Sequence, residues 1–583
     1  MSLYDDASLV MVPSGYKDTK LYSAKPTNGD GDFTFSRGSN LGATRINSEG
    51  LIEKGRENLL LQSNTFNTTW TTASTSVGSG QPDKDGGSTA WKLTKNGNAG
   101  YIQQSVSTSG VITQSIYAKA GTLDWIRISN SGFSNATTYY DLANGVLGTS
   151  LSDVIDASIE DLGNGWYRLI QVINGSGSAI RIFPAIADND VSGTGGYLYI
   201  QDAQLEQGLV ATNYIETTTT TEQAGILEDM PRLDYSGGAS CPSLLLEPQR
   251  SNSVLHSELI STYFFYTNAS ASNNATTSPE GVTNAASIIP DGTNGIHQIA
   301  SSSISASGSF TLSAFVKAGE LNKVAIRESN ATGAYASFDL STGTKIEDNV
   351  SGDAFIEPFE NDWYRIGVTY TYSGNIRLGI NVLSNSYTTG NPSSGATYWS
   401  SNGTDKLYVY GLQCELGVTY PTSYIPTYGS SSVTRSADEL DLINWVSKGI
   451  ISDSNEWTIF YEVDGLTTDY DTGDSQWLPG DDNTIDVYMR AGATNENFAR
   501  FYWRKDSKYI GSTYGKKIIA RLSGGTGTTF ADGVEIASSS ISGDYSNIGM
   551  NMGTSSNAAG YVKQAIIFPT ALTDAECIEL TTI

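Results

Sequence analysis

The sequence predicts an all-β protein: three tandem β-sandwich, jelly-roll-like domains after a short N-terminal segment. Three observations carry this. Short runs alternate apolar and polar residues and favour aromatic and β-branched side chains, the pattern of half-buried strands. Gly, Ser, Thr and Asn crowd between those runs, with 61 Gly in 583 residues, as tight turns between strands require. Stretches rich in Ala, Leu, Glu and Lys, which would make long helices, are few.

Residues 1–54 form a non-repeated lead with turn clusters at PSG (13–15) and NGDGD (28–32). A duplication follows. GRENLLLQS (55–63) matches QRSNSVLHS (249–257), SIYAKAG (115–121) matches SAFVKAG (313–319), and YYDLANG (139–145) matches SFDLSTG (337–343). NGWYR (164–168) matches NDWYR (361–365), LYIQDAQLEQG (198–208) matches LYVYGLQCELG (407–417), and TNYIET (212–217) matches TSYIPT (422–427). The order is kept throughout, so the chain carries two copies of one module. Copy one spans 55–217 and copy two 243–428, with linkers at 218–242 and 429–445. The second copy has an enlarged loop at 384–403. Residues 446–583 form the third sandwich. There WTIFYEVDG (457–465), FARFYWR (498–504) and KKIIARLSG (516–524) read as strands, Asp532-Gly533 as a hairpin turn, and Thr573 with Glu576 as the cap of a short helix.

Charge narrows the function. The net charge is −27, which disfavours the phosphate backbone of nucleic acid and anionic membrane surfaces. No apolar run reaches the roughly 18 residues of a membrane span, and MSLYDDASLVMV lacks the basic and apolar regions of an export signal. Cys241, Cys414 and Cys577 are too scattered for a disulfide framework or a zinc site and read as buried structural thiols. The two histidines, His256 and His297, stand where the first copy has Gln62 and about Ile102. That argues against shared imidazole chemistry, and against Ser-His-Asp or Cys-His nucleophiles.

Carboxylates are plentiful, but no spacing singles out a glycosidase pair. NGDGD (28–32) and DYDTGD (469–474) are oxygen-rich, yet neither fits a calcium loop, and Asx-type turns account for them more simply. Aromatic rings are natural sugar platforms. Trp166 and Trp363 are twins in strands and belong to cores. Tyr387, Tyr398 and Trp399 in the enlarged loop, Trp477 in an acidic loop, and Tyr509 and Tyr514 beside a turn are the glycan-binding candidates. Arg56/Arg250 and Lys119/Lys317 recur in both copies and read as structural, pairing with buried carboxylates or carbonyls.

RENLLLQSN, WYRL, QLEQG and above all PTSYIPTYGSSSVTRSADE resemble tail and other virion structural proteins of tailed bacteriophages. The lead, YDDASLVMVPSGYKDTKLYSAKPTNGDGDFTFSRGSN, is similar to their N-terminal segments, and the modules resemble their carbohydrate-binding-module-like sandwiches. FADGVEIAS and FPTALTDAE resemble laminin-G/concanavalin-A-like domains. In the first copy YIETTTTTEQAG departs from YIPTYGSSSVTRSAD. The resemblance implies a non-enzymatic structural protein without an obligate cofactor, exposed on the virion as a tail fibre, head fibre, spike or capsid decoration and assembled in the host cytoplasm. It implies docking to other virion proteins through residues 1–54, homo-oligomers such as trimers, and adhesion to host-surface glycan. Relatives of the third domain that bind calcium make Asp469, Asp471 and Asp474 its metal candidates. Two alternatives stand beside this reading, a virion-associated polysaccharide depolymerase and a bacterial or prophage-derived lectin or adhesin.

Overall fold

The repeated blocks form the inner strands of two sandwiches built alike. SIYAKAG ends the strand Val111–Ala120, WYR opens Trp166–Asn174, and LYIQDAQLEQ is Tyr197–Gln207. They adjoin in an antiparallel six-stranded sheet completed by Val154–Gly163 on one side and by Ala90–Lys95 and Thr75–Gln81 on the other. Their twins Ser309–Ala318, Trp363–Thr371 and Leu407–Leu416 hold the same places in the second copy.

A second six-stranded sheet packs on each of these. In the first copy its order is Val146–Ser150, Thr137–Asp141, Trp125–Ser131, Gly177–Ala185, Tyr101–Thr108 and Thr71–Ala73. In the second it is Thr344–Asp348, Tyr335–Asp339, Lys323–Glu328, Leu378–Leu383, His297–Ala300 and Phe265–Thr267. The duplication therefore holds strand for strand. Strand alternation sends Ile126, Ile128, Ile180 and Ile182 between the sheets, where they are fully buried, and turns Arg127 and Arg181 outward. This computed structural model describes residues 3–582 apart from 18, 39–41, 331–332, 351, 430, 443, 453–454, 469–473, 479–484, 492–496, 504–507, 514–515, 543–549 and 554–557, and gives only the backbone of the strand residues within 466–513 and 550–558.

Residues 1–54 and 218–242 differ from the expected lead and linker. Leu9–Met11 pairs with Ala558–Phe568 near the end of the chain, and Ser243–Leu246 pairs further along the same strand. Phe33–Ser36 pairs with Glu439–Leu442. One core accordingly joins Leu9, Met11, Leu21, Phe33 and Phe35 to Leu244 and Leu246 and to Trp445, Trp457 and Ile567. The third domain is thus assembled from three separate stretches of chain. Its main sheet runs through Ala558–Phe568, Trp457–Thr468, Lys517–Ser523, Thr526–Ala531 and Val534–Ser540. Asp532 and Gly533 turn the last hairpin at φ 45° and 80°, and Thr573 and Glu576 form a capping box on the helix Asp574–Thr581.

Each sandwich is entered through a hairpin and left through a short strand that pairs back. The entry hairpins are Thr44–Ile46 with Ile52–Lys54, and Arg232–Asp234 with Ser243–Leu246. On return, Glu222–Ala224 pairs with Arg56–Asn58, and Val433–Arg435 with Arg250–Asn252. The presumed linkers are therefore parts of the repeat.

Two buried charge clusters hold these junctions. Arg37, Arg232 and Arg435, each at most 1% exposed, surround two carboxylates. Arg37 reaches Asp438 at 3.2 Å, Arg232 reaches Glu247 at 2.7 Å and also binds Asp438, and Arg435 reaches Glu247 at 2.9 Å. Burial alone would raise the Glu247 carboxyl; Arg435 and Arg232 outweigh it and hold it at about 2. The first copy has Ala224 at the register position of Arg435, so this cluster belongs to the second junction alone. Between the sandwiches, Lys54 lies between Glu258 and Glu280, with the rings of Tyr410, Tyr424 and Tyr428 around it at 5.2–5.7 Å. Cys414 and Cys577 are buried free thiols, but Cys241 is exposed, since the hairpin loop that carries it faces solvent.

Candidate functional site

The polar residues that recur in both copies meet in one place, and that place is a latch. Arg168 donates to the Thr212 carbonyl at 2.5 Å, as Arg365 does to that of Thr422 at 2.7 Å. Asn58 donates to the Ala203 and Ile215 carbonyls, as Asn252 does to those of Leu412 and Ile425. Glu206 accepts from the Thr212 amide and hydroxyl, as Glu415 does from Thr422. Lys119 and Lys317 each cap a turn by donating to the Asn164 and Asn361 carbonyls at 2.6 and 2.7 Å. These groups pin the returning chain across the outer face of the inner-strand sheet. Arg56 pairs with Glu280 at 2.5 Å, while Arg250 donates to the Gln249 carbonyl and the Tyr420 hydroxyl.

The sequence candidates scatter. Tyr387 is 7% exposed and packs on Ala325 and Leu383, with its hydroxyl on Glu347 at 2.6 Å. It is no open platform, because the enlarged loop folds down onto the sheet and carries the ring inward. Tyr398 is 41% exposed. Trp399 is half-buried against His297, and its carbonyl faces the imidazole Nε2 at 3.0 Å. Trp477 lies in the strand Asp474–Leu478, which Asp474 opens, and Tyr509 in Lys508–Thr513; their side chains are outside the described residues, as are Tyr514, Asp469 and Asp471 altogether. Among the described residues no cluster of three His, Cys, Asp or Glu side chains could hold a metal. In NGDGD, Asn28 accepts from the Asp30 amide and Asp32 from the Ser23 amide, which are turn contacts.

His256 stacks on Tyr263 at 3.7 Å. Its backbone φ is 51° and that of its twin Gln62 is 50°, so the two copies share a left-handed turn rather than a side-chain role. Burial pushes the imidazole down from 6.5 to about 4. Between those values the unfolded chain binds a proton that the folded chain excludes, so stability falls as pH drops through this window. His256→Gln should remove that loss. The drop in melting temperature from pH 7 to pH 5 is then smaller in the variant than in the parent, and an equal drop would refute the assignment.

A surface that no single segment announced lies on the outer face of the other sheet of the first sandwich. Arg127 stands 4.2 Å over the Phe183 ring and 5.9 Å from that of Tyr139, and Arg181 stands 5.0 Å over Tyr101. Tyr101 and Phe183 are in ring contact at 5.1 Å. Arg181 Nε donates to Gln103 at 2.8 Å, and among the described residues Arg127 donates only to the Thr137 hydroxyl, at 3.5 Å. Phe183 and Tyr139 form the floor at 5% and 3% exposure, while Tyr101, Gln103, Trp125, Arg127 and Arg181 remain open to solvent in part. Beyond Trp125, register sets the exposed Val146 in the same row across Asp141.

Register places the second copy's counterparts of Arg127, Tyr139, Phe183, Arg181 and Tyr101 at Ala325, Ser337, Asn381, Gly379 and Gln298. There the enlarged loop covers the face. Tyr387 sits on Ala325, Asn381 donates to the Pro392 carbonyl, and Glu347 holds Thr389 and the Gly390 amide. On this sheet of the second copy an arginine–aromatic pair remains at the edge strand, where Arg377 stands 4.3 Å over Phe265.

No family model matches the chain, and no curated protein matches it. Among solved structures, the N-terminal CBM22-1-CBM22-2 tandem domain of Paenibacillus barcinonensis Xyn10C aligns over 65% of this chain and 98% of its own, at 10% identity and a TM-score of 0.20. The arabinofuranosyltransferase AftD from Mycobacteria aligns over 86% of this chain and 36% of its own, at 10% identity and a TM-score of 0.12. Superpositions this loose bear on neither ligand nor activity.

Proposed function

We propose that the chain is a non-enzymatic structural protein of a bacteriophage particle, displayed as a fibre, spike or decoration, that adheres to host-surface glycan through the first sandwich. The arginine–aromatic face around Phe183 carries this reading. Flat rings accept the apolar face of a pyranose, and guanidinium and amide groups beside them meet its hydroxyls. A shallow site of this kind binds weakly, and many copies on one particle raise the avidity. The phage context rests on the resemblance of the repeated and linker motifs. Docking falls to the surface of the folded third domain rather than to a free arm, because Leu9–Met11 is a strand of that domain. Homo-oligomers and assembly in the host cytoplasm belong to the same reading.

A high-density glycan array tests adhesion. The full chain should bind, Tyr101→Ala and Trp125→Ala should each weaken binding about tenfold (roughly 1.4 kcal/mol), and Tyr398→Ala should leave it unchanged. A clean negative at high density overturns the adhesive role. Antibody against the chain should label intact purified particles, and unlabelled particles overturn the virion role.

A further inference from the structure

We infer that the first sandwich selects an acidic polysaccharide, one whose repeating unit carries a carboxylate. The inference deepens the proposed adhesion and rests on it. The chain holds 34 basic against 61 acidic residues, so a guanidinium on its surface has carboxylates in excess to choose from. Arg127 and Arg181 nevertheless meet none. Among the described residues their polar partners are the neutral Thr137 hydroxyl and Gln103 amide oxygen, and neither enters an ion pair.

The two are also close to each other. Arg127 pairs across the strands with Phe183, two residues from Arg181 on the same face, which makes their backbone positions diagonal neighbours about 7–8 Å apart. Each guanidinium already rests on a ring, at 4.2 Å for Arg127 over Phe183 and 5.0 Å for Arg181 over Tyr101, so part of its freedom is spent before binding. The terminal nitrogens of Arg181 have no partner among the described residues. A planar fork held in this way fits a carboxylate in two-point contact.

The second copy supplies the contrast. Its counterparts are Ala325 and Gly379, both charges are gone, and a segment of the chain itself covers the face. Arginines and an open face go together, and neutral residues and a covered face go together. Nucleic acid also offers anions and rings, and an oligonucleotide is therefore the competing ligand for this face.

The test is binding of the full chain to immobilised polygalacturonate, to neutral dextran, and to a single-stranded oligonucleotide, at low and at physiological salt. The expected result is retention on polygalacturonate that weakens with salt and exceeds retention on dextran. Arg127→Gln/Arg181→Gln should lower it at least tenfold with an unchanged melting temperature, and Arg127→Lys/Arg181→Lys, which keeps charge but loses the fork, should fall between. Arg377→Gln in the second copy serves as control and should match the parent. Equal binding by parent and double Gln variant overturns the inference, as does stronger binding to the oligonucleotide. Binding to dextran alone overturns the acidic selectivity and leaves glycan adhesion standing, whereas retention on neither polysaccharide, together with a blank glycan array, removes both.

Discussion

A chain lacking residues 1–38 is expected to lose its third domain while both sandwiches still fold. Leu9, Met11, Leu21, Phe33 and Phe35 are all at most 1% exposed and sit in one core with Trp445 and Trp457. At about 1.5–3 kcal/mol for each buried side chain, their removal forfeits on the order of 10 kcal/mol, comparable to the whole stability of a domain. The strand edge of Ala558–Phe568 is bared at the same time. Calorimetry should show one transition missing, and amide exchange should accelerate over 457–463 while 111–120 stays protected. An unaltered third transition would contradict the composite core. Phe33→Ala is the milder version, with an expected cost of about 3–5 kcal/mol in that transition.

Asp438→Ala is expected to be the most damaging single change at the junction. It strips the buried Arg37 and Arg232 of the carboxylate they share and removes the acceptor of the Glu247 amide. Stripping one partner from a buried ion cluster costs about 3–5 kcal/mol. The apolar double variant Asp438→Leu/Arg232→Met should cost less than Asp438→Ala, because it also removes an orphaned charge. If both melt alike, packing rather than charge governs the site. Acid probes the same cluster. Glu247 is held at about 2 in the fold, below its usual 4.5, so its contribution is complete above pH 4.5 and disappears as pH falls toward 2.

Local order was legible because local chemistry writes it. Alternation in WYRIGVTYTY marks the strand Trp363–Thr371, Asp532-Gly533 marks the hairpin of Thr526–Ala531 with Val534–Ser540, and Thr573 with Glu576 marks the cap of Asp574–Thr581. The partnership of Leu9 with Ile567 left no such trace. A three-residue strand carries too little pattern to name a partner at the far end of the chain. Arg37, Arg232 and Arg435 are each unremarkable in sequence, and only the fold makes them neighbours.

The arginine–aromatic face was missed for a related reason, since its members come from four strands. One signal was present. In WIRI (125–128) and IRIF (180–183), the positions that alternate with isoleucine hold Trp, Arg and Phe where an exposed strand ordinarily holds Ser or Thr. The enlarged loop drew attention for the opposite reason, since added chain suggests an added contact. Tyr387 instead turns that chain back onto its own sheet.

The placement of Leu9–Met11 beside Ala558–Phe568 also decides how the molecule carries tension. The Ser8 amide bonds the Ile567 carbonyl at 2.9 Å, so the first and last strands enter this ladder from the same end. A pull between them peels the ladder one bond at a time and never loads either sandwich. A pull on the first sandwich takes another route. It reaches the third domain through Arg56–Asn58 and Glu222–Ala224, two paired strands side by side, so the strain is shared between two crossings of the chain.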